Sequence, residues 1–320
     1  MTARVLFHNN CFDGACSAAV FSRFYRGKIQ PQAEFAYTGL AHKASQLFDE
    51  SQFDGDENAI VDFKYTSSPR LNWWFDHHQS AFQTPADLAH FQEDRSGKKF
   101  FDPTYKSCTK FIATIAREKF GFSAADLDDL IYWADIIDGA LYESSASAVH
   151  MEAPAMKLTL VVEATKDPTL IPRLIPMLAS RTLPDIVADP EIQALFQPLF
   201  RAHLESIEVI RSRASCQEAV IFFDLIGTGM EGYNKFIPYD LFPQAVYTVS
   251  VSESSYRTKI SVGTNPWNQP GQMHNIATIC ERYGGGGHAK VGAISFESGE
   301  VEKARAAAAE IVALLKTTAP

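Results

Sequence analysis

Asp76-His77-His78 directly follows the short apolar run Trp73-Trp74-Phe75. One acid and two imidazoles at the end of such a run predict a buried strand that delivers polar groups at its C-terminal edge, where open parallel α/β sheets place their sites. Two further clusters carry related chemistry: His8-Asn9-Asn10-Cys11-Phe12-Asp13-Gly14 near the start, and Gly284-Gly285-Gly286-Gly287-His288 near the end. Carboxylates and imidazoles suit divalent cations, and glycine N–H groups beside a histidine and Lys290 suit phosphate. Together the three clusters point to metal-dependent phosphoester chemistry.

Adjacent strand residues face opposite sides, so His77 and His78 must meet different partners, one a metal and the other a substrate. Asp76 would accept a ring N–H and fix its tautomer. Asp62 ends another strand candidate, and its two oxygens suit a bridge between two ions. Asp135 and Asp138 share one helix face by their (i, i+3) spacing; at the helix end they oppose the macrodipole, so a positive partner is expected. Plainer readings exist for each: a polar loop with a capping Asp13, a strand-end turn at Asp62, and a solvated acidic patch continuing Asp126, Asp128 and Asp129. The glycine run follows a helix expected at 274–283, so it lacks the dipole advantage of a phosphate loop. Gly285, Gly286, Gly287, His288, Lys290 and Arg257 would then hold substrate through N–H groups and side-chain charge.

Strands are expected at 5–7, 34–37, 59–62 and 73–75, with helices at 15–25, at 104–120 after Asp102-Pro103, and at 124–137 with Ser123 as N-cap. This alternation predicts a parallel sheet. From 144 to 214 the pattern is helical, with Pro168, Pro172, Pro176, Pro184, Pro190 and Pro198 breaking or starting segments. Strands at 220–223, 245–251, 258–262 and 291–296 follow, with helices at 274–283 and 301–315. The fold class is α/β: residues 1–145 form a parallel-sheet metal-binding domain, 146–215 a helical connector, and 216–320 a smaller α/β substrate-binding domain.

The 320 residues are 46% hydrophobic with net charge −9, which excludes a broad basic surface for long duplex nucleic acid. Five cysteines without CxxC spacing, and an N-terminus that reaches His8 too soon for a signal-peptide core, predict a reduced, cytoplasmic protein. No run approaches the roughly 20 apolar residues of a membrane span.

Taken in order, His8…Asp13-Gly14, Asp62, Asp76-His77-His78, Asp135 and 284–288 resemble the DHH phosphoesterase superfamily with its DHH-associated C-terminal domain, over nearly the whole chain. That superfamily includes oligoribonucleases, cyclic-dinucleotide phosphodiesterases, single-strand exonucleases and, in a related branch, family II pyrophosphatases. The resemblance implies Asp62 as bridging ligand, His77 as metal ligand, Asp135 as fourth-motif ligand, and His78 as a contact to the scissile phosphate. Asp135 and Asp138 both lie in the fourth-motif segment. The implied ion is manganese, with magnesium or zinc as alternatives. One departure matters: the family usually has Asp-x-Asp-Gly in its first motif, and here Cys11 stands where the earlier Asp belongs. Asp13, Asp62, His77 and Asp135 complete one ion position; the other keeps His8 and Asp62 and borrows Cys11, Asn10 or water. One tight and one weak site follow, and a Cys11 thiolate would favour softer ions.

The expected activity is two-metal in-line attack of hydroxide on short oligonucleotides or nucleotide-like phosphate esters, with a length-measuring cleft between the domains. A polyphosphate or pyrophosphate hydrolase would need more cations than Arg257, Lys259, Lys290 and Lys64. A non-catalytic nucleotide-binding protein with an incomplete metal site is the reading from another class. The expected partner is the small substrate, with no long duplex nucleic acid and no membrane; a homodimer stays open.

Overall fold

Four apolar runs and one short edge segment form a five-stranded parallel sheet. In the computed structural model, which describes residues 1–41, 48–230 and 232–317, β1 (Thr2–His8) leads into α1 (Phe12–Lys28), followed by β2 (Glu34–Leu40), β3 (Glu57–Val61) and β4 (Trp73–Asp76). Next come α2 (Pro85–Glu93), β5 (Lys99–Phe101), α3 (Cys108–Phe120) and α4 (Asp128–Asp138). The strand order is β2-β1-β3-β4-β5, with every pair parallel. Strand order reverses between β1 and β3, and in open α/β sheets the crevice beyond the strand ends at such a point is where ligands sit.

The helices α5 (Ser145–Val149), α6 (Pro154–Ala164), α7 (Leu170–Leu178), α8 (Leu183–Val187) and α9 (Pro190–Arg213) follow. Two compact units result, one of Met1–Tyr142 with Glu152–Leu199 and the other of Glu143–Met151 with Phe200–Pro320. The stretch read as a connector is thus divided between them. In the first unit α1 packs on α3, α4 and α7, and Phe21, Phe24 and Tyr25 meet Trp73 edge-on with ring centroids 5.7–6.1 Å apart. Those buried aromatics supply large apolar area and specific edge-to-face geometry.

The second unit is built on β6 (Ser215–Gln217), β7 (Val220–Asp224), α10 (Ile237–Leu241), β8 (Tyr247–Ser254), β9 (Arg257–Thr264), α11 (Ile276–Glu281), β10 (Gly286–His288), β11 (Val291–Glu297) and α12 (Val301–Leu315). Its six strands run in the order β10-β11-β9-β8-β7-β6; β7 and β8 are parallel and the other pairs antiparallel. α11 and α12 bury Ile276, Ile279, Ala304, Ala308 and Ile311 against Val249, Val251, Ile260, Val262 and Ile294.

Several elements differ from expectation for local reasons. α3 starts at Cys108 rather than near 104, because the Asp102 carboxylate closes a turn on the Thr104 N–H (2.9 Å) and Ser107 caps the helix through the Lys110 N–H (3.2 Å). The segment 124–137 splits into a 3-10 turn at Ala125–Leu127 and α4, without Ser123 as cap. Pro176 and Pro198 lie inside α7 and α9 instead of breaking them. In α7 the burial of Leu174, Ile175 and Leu178 offsets the lost backbone bond. Sequence patterning signals neither α2, which buries none of its residues, nor β5, which is three residues long.

Candidate metal centre

The sheet ladder aligns Phe7, Val61 and Phe75, so the next residues, His8, Asp62 and Asp76, leave their strands at one level. Asp62 turns out of the ladder with φ 58°, a left-handed conformation that costs a non-glycine residue on the order of 1 kcal/mol. Gly14, in the first turn of α1, lies against the His8 carbonyl oxygen, where any Cβ would collide. A glycine there lets the helix start close enough to carry Asp13 under the strand ends.

Asp62 is 1% exposed, and neither of its carboxylate oxygens accepts a hydrogen bond. Around it stand His77 Nε2 at 3.3 Å, His8 Nδ1 at 3.4 Å and His78 Nδ1 at 3.8 Å. His77 Nε2 also lies 3.8 Å from Asp13 Oδ2 and 3.5 Å from Asp138 Oδ2. Donor atoms group within 4.8 Å as Asp13, His77 and Asp138, as Asp62, His77 and His78, and as His8, Cys11 and Asp62. Buried carboxylate oxygens left without donors and facing imidazoles fit one or more divalent cations.

Two hydrogen bonds orient the imidazoles. His77 Nδ1 lies 3.1 Å from the Tyr105 carbonyl oxygen, which makes Nδ1 the donor and aims Nε2 at the carboxylates. Asp76 Oδ1 lies 2.7 Å from His78 Nδ1 and accepts the backbone N–H groups of His77 and His78 at 2.8 and 3.2 Å. The expected tautomer-fixing role of Asp76 therefore falls on His78, and the Tyr105 carbonyl, invisible as a sequence signal, does this for His77.

The electrostatics describe an excess of buried negative charge. Burial pulls the His77 ring down, but Asp62 and Asp13 raise its pKa to about 10. Burial would raise the Asp62 carboxyl, yet His77 and His8 hold it well below the usual range. Burial and the neighbouring Asp62 push Asp13 well up and Asp138 up to about 6. The Cys11 thiol is pushed up by burial and by Asp62 and Asp13. Asp13 has a second engagement, since the first N–H groups of α3, from Cys108 and Thr109, donate to its two oxygens at 2.7 and 3.0 Å.

Asp135 does not join the group. Lys110 Nζ holds it at 2.6 Å and Ser107 Oγ at 3.3 Å, and Asp138, one turn later, faces His77 instead. The positive partner expected for the helix end is that lysine at Asp135. The (i, i+3) spacing puts both on one face but does not say which of them reaches the strand ends.

The second unit has a groove of about 540 Å³ on the sheet, lined by Arg257, Lys259, His288, Lys235, Tyr233 and Tyr256 among others. Gly286 and Gly287 line it, whereas Gly285 and Lys290 do not. Gly285 lies against the Ala293 carbonyl on β11, and Lys290 donates to Gln269 Oε1 at 2.9 Å. The glycine run is not a free anion nest: 286–288 pairs antiparallel with β11, and Gly287, at φ 154°, leaves no room for a Cβ beside Val291. Sequence reading missed Tyr233, Lys235 and Tyr256, although the alternation of Arg257, Lys259 and Ser261 along β9 marks one polar strand face.

Among the described residues no helix is long and apolar enough to cross a membrane. No protein-family model and no curated protein matches the chain. Solved structures do. A pGpG-specific phosphodiesterase, PggH from Vibrio cholerae, aligns with TM-score 0.70 and 16% identity over 98% of this chain and 100% of that one. RecJ of Thermus thermophilus, in complex with Mn2+, aligns with TM-score 0.53 and 13% identity over 99% of this chain and 53% of that one. The DHH domain of a member of a family of ribosomal proteins aligns with TM-score 0.57 and 11% identity, covering 99% and 88%. This chain shares its fold with these solved structures, a DHH domain among them.

Proposed function

We propose that the protein is a metal-dependent phosphoesterase that hydrolyses short oligonucleotides or nucleotide-like phosphate esters. The observation that carries this reading is Asp62: a buried carboxylate whose oxygens accept no hydrogen bond, ringed by three imidazoles and paired through His77 with Asp13 and Asp138. Asp13, His77, Asp138 and Asp62 would hold one ion; His8, Cys11 and the shared Asp62 would hold a second, softer site. Bound divalent ions supply charge neutralisation at phosphoryl oxygens and make water acidic enough to react near neutral pH. Manganese is the ion assigned first, with magnesium or zinc as alternatives.

In the reaction assigned, hydroxide attacks phosphorus in line and the ester P–O bond breaks on the opposite side. His78, held at Nδ1 by Asp76, presents Nε2 to the scissile phosphate, where it stabilises charge or gives a proton to the leaving oxygen. The groove of the second unit, lined by Arg257, Lys259 and His288, offers donors that would hold a phosphate. Net charge −9 supports short substrates over long duplexes.

A pGpG-type dinucleotide is the first substrate to test. Manganese-dependent release of nucleoside monophosphate is expected, with loss of turnover on chelation. Preference for inorganic pyrophosphate would favour a different hydrolase, and no turnover of either with intact binding would leave a nucleotide-binding protein. After dialysis one ion should be retained and one lost; two equally retained ions would contradict the unequal sites.

A further inference from the structure

The turn that delivers His8 and Cys11 is tied to a helix far away in sequence. Asn10 adopts φ 52°, and its side-chain Nδ2 donates to two carbonyl oxygens at the end of α6, those of Val162 (3.2 Å) and Thr165 (2.8 Å). Asn9 Nδ2 donates to Asn10 Oδ1 at 2.8 Å, and the Asn9 N–H donates to the Leu40 carbonyl at the end of β2 (2.8 Å). A chain of hydrogen bonds therefore runs from the end of β2, through the two asparagines, to the end of α6. Helix C-terminal carbonyls lack intrahelical donors, so α6 gains partners as the turn gains an anchor. Both neighbours of interest lie within two residues of this anchor: His8 ends β1 and Cys11 precedes α1.

We infer that Asn10 is a positioning residue which clamps the first-motif turn to α6 and so holds His8 and Cys11 in register with Asp62. Three properties of asparagine are used together. Its side chain donates to carbonyls, its oxygen accepts from Asn9, and it tolerates the left-handed backbone. Asp13 and His77 have supports of their own, the first N–H groups of α3 and the Tyr105 carbonyl. Loss of the clamp should weaken one ion site and spare the other. This inference rests on the proposed function, because it concerns the same metal centre.

The test is Mn2+ binding to the chelator-treated full-length protein, followed by calorimetry and by electron paramagnetic resonance. Asn10→Gly keeps the left-handed turn but removes the clamp. Asn10→Asp keeps the shape but places a carboxylate against carbonyls at the negative end of a helix. Both should weaken the second binding event roughly 10–100-fold, the range seen when outer supports of metal ligands are removed, and leave the first unchanged. Two wild-type-like events in Asn10→Gly would overturn the clamp alone. An equal loss of both events together with a lowered melting temperature would overturn it too, by reducing Asn10 to a structural residue. No Mn2+ binding by the wild-type protein would overturn the functional reading and the clamp with it.

Discussion

Lys110 Nζ closes on Asp135 Oδ2 at 2.6 Å and keeps that carboxylate out of the cluster that Asp138 joins. The two acids should therefore respond differently to substitution. Asp138→Ala is expected to lower Mn2+ affinity and turnover by roughly 100-fold or more, beyond what loss of an outer support costs. Asp135→Ala should stay within a few-fold in turnover, and comparison of kcat and Mn2+ affinity for the two variants decides the assignment.

A metal bound at His77 would have to displace a proton, because the carboxylates around the ring raise its pKa to about 10. Below that value the ring is protonated and metal entry must displace the proton. Apparent Mn2+ affinity should thus rise with pH up to about 10, and calorimetry in buffers of different ionisation enthalpy should detect proton release. Asp62→Asn removes the closest carboxylate, so the His77 ring resonances of the metal-free variant should titrate at lower pH.

Turnover should cease in Asp62→Ala and in His77→Ala while the far-ultraviolet circular dichroism stays native. The sheet core, built from Phe7, Val61, Trp73 and Phe75, does not use either side chain. Full activity in either variant would refute the site.

Glu57 stands at the opposite end of β3 from Asp62, where it accepts from Tyr25 Oη (3.0 Å), Trp73 Nε1 (2.7 Å) and Lys98 Nζ (2.9 Å). Burial opposes its ionisation, but Lys98, Trp73 and Tyr25 outweigh that and lower its pKa. A depressed carboxylate pKa contributes stability that is present above the unfolded value and lost as pH falls through the folded one. Glu57→Ala leaves an indole N–H and a phenol short of an acceptor and should cost about 1–3 kcal/mol. Chemical denaturation should show this penalty at pH 7 and a smaller one in acid, with kcat unchanged well below the melting temperature.

Tyr256 is 69% exposed on the rim of the groove, with the Arg257 guanidinium 5.2 Å from its ring centroid. Such a pair suits a nucleobase, and base–aromatic stacking is worth about 1–3 kcal/mol. Tyr256→Ala should raise KM for a dinucleotide about tenfold, with no change for an abasic analogue and none in metal content. Lys259→Ala should raise KM for both, because its ammonium, whose pKa burial and Arg257 lower, would meet phosphate instead of a base.

Residue order alone singled out the acid and histidine clusters and the strands that end in them, because a buried parallel strand is a continuous apolar run and its polar stop is conspicuous. Trp73-Trp74-Phe75 before Asp76, and the Val61 step into Asp62, are local signals of this kind. Which of Asp135 and Asp138 faces His77, the partners of the two imidazoles, and the pairing of the glycine run with β11 emerge only in three dimensions. Each depends on a contact between residues that sequence spacing does not pair: Lys110 with Asp135, Tyr105 with His77, Val291 with Gly287. Side-chain spacing reports which face of an element a residue occupies, whereas packing of one element on another determines what that face meets.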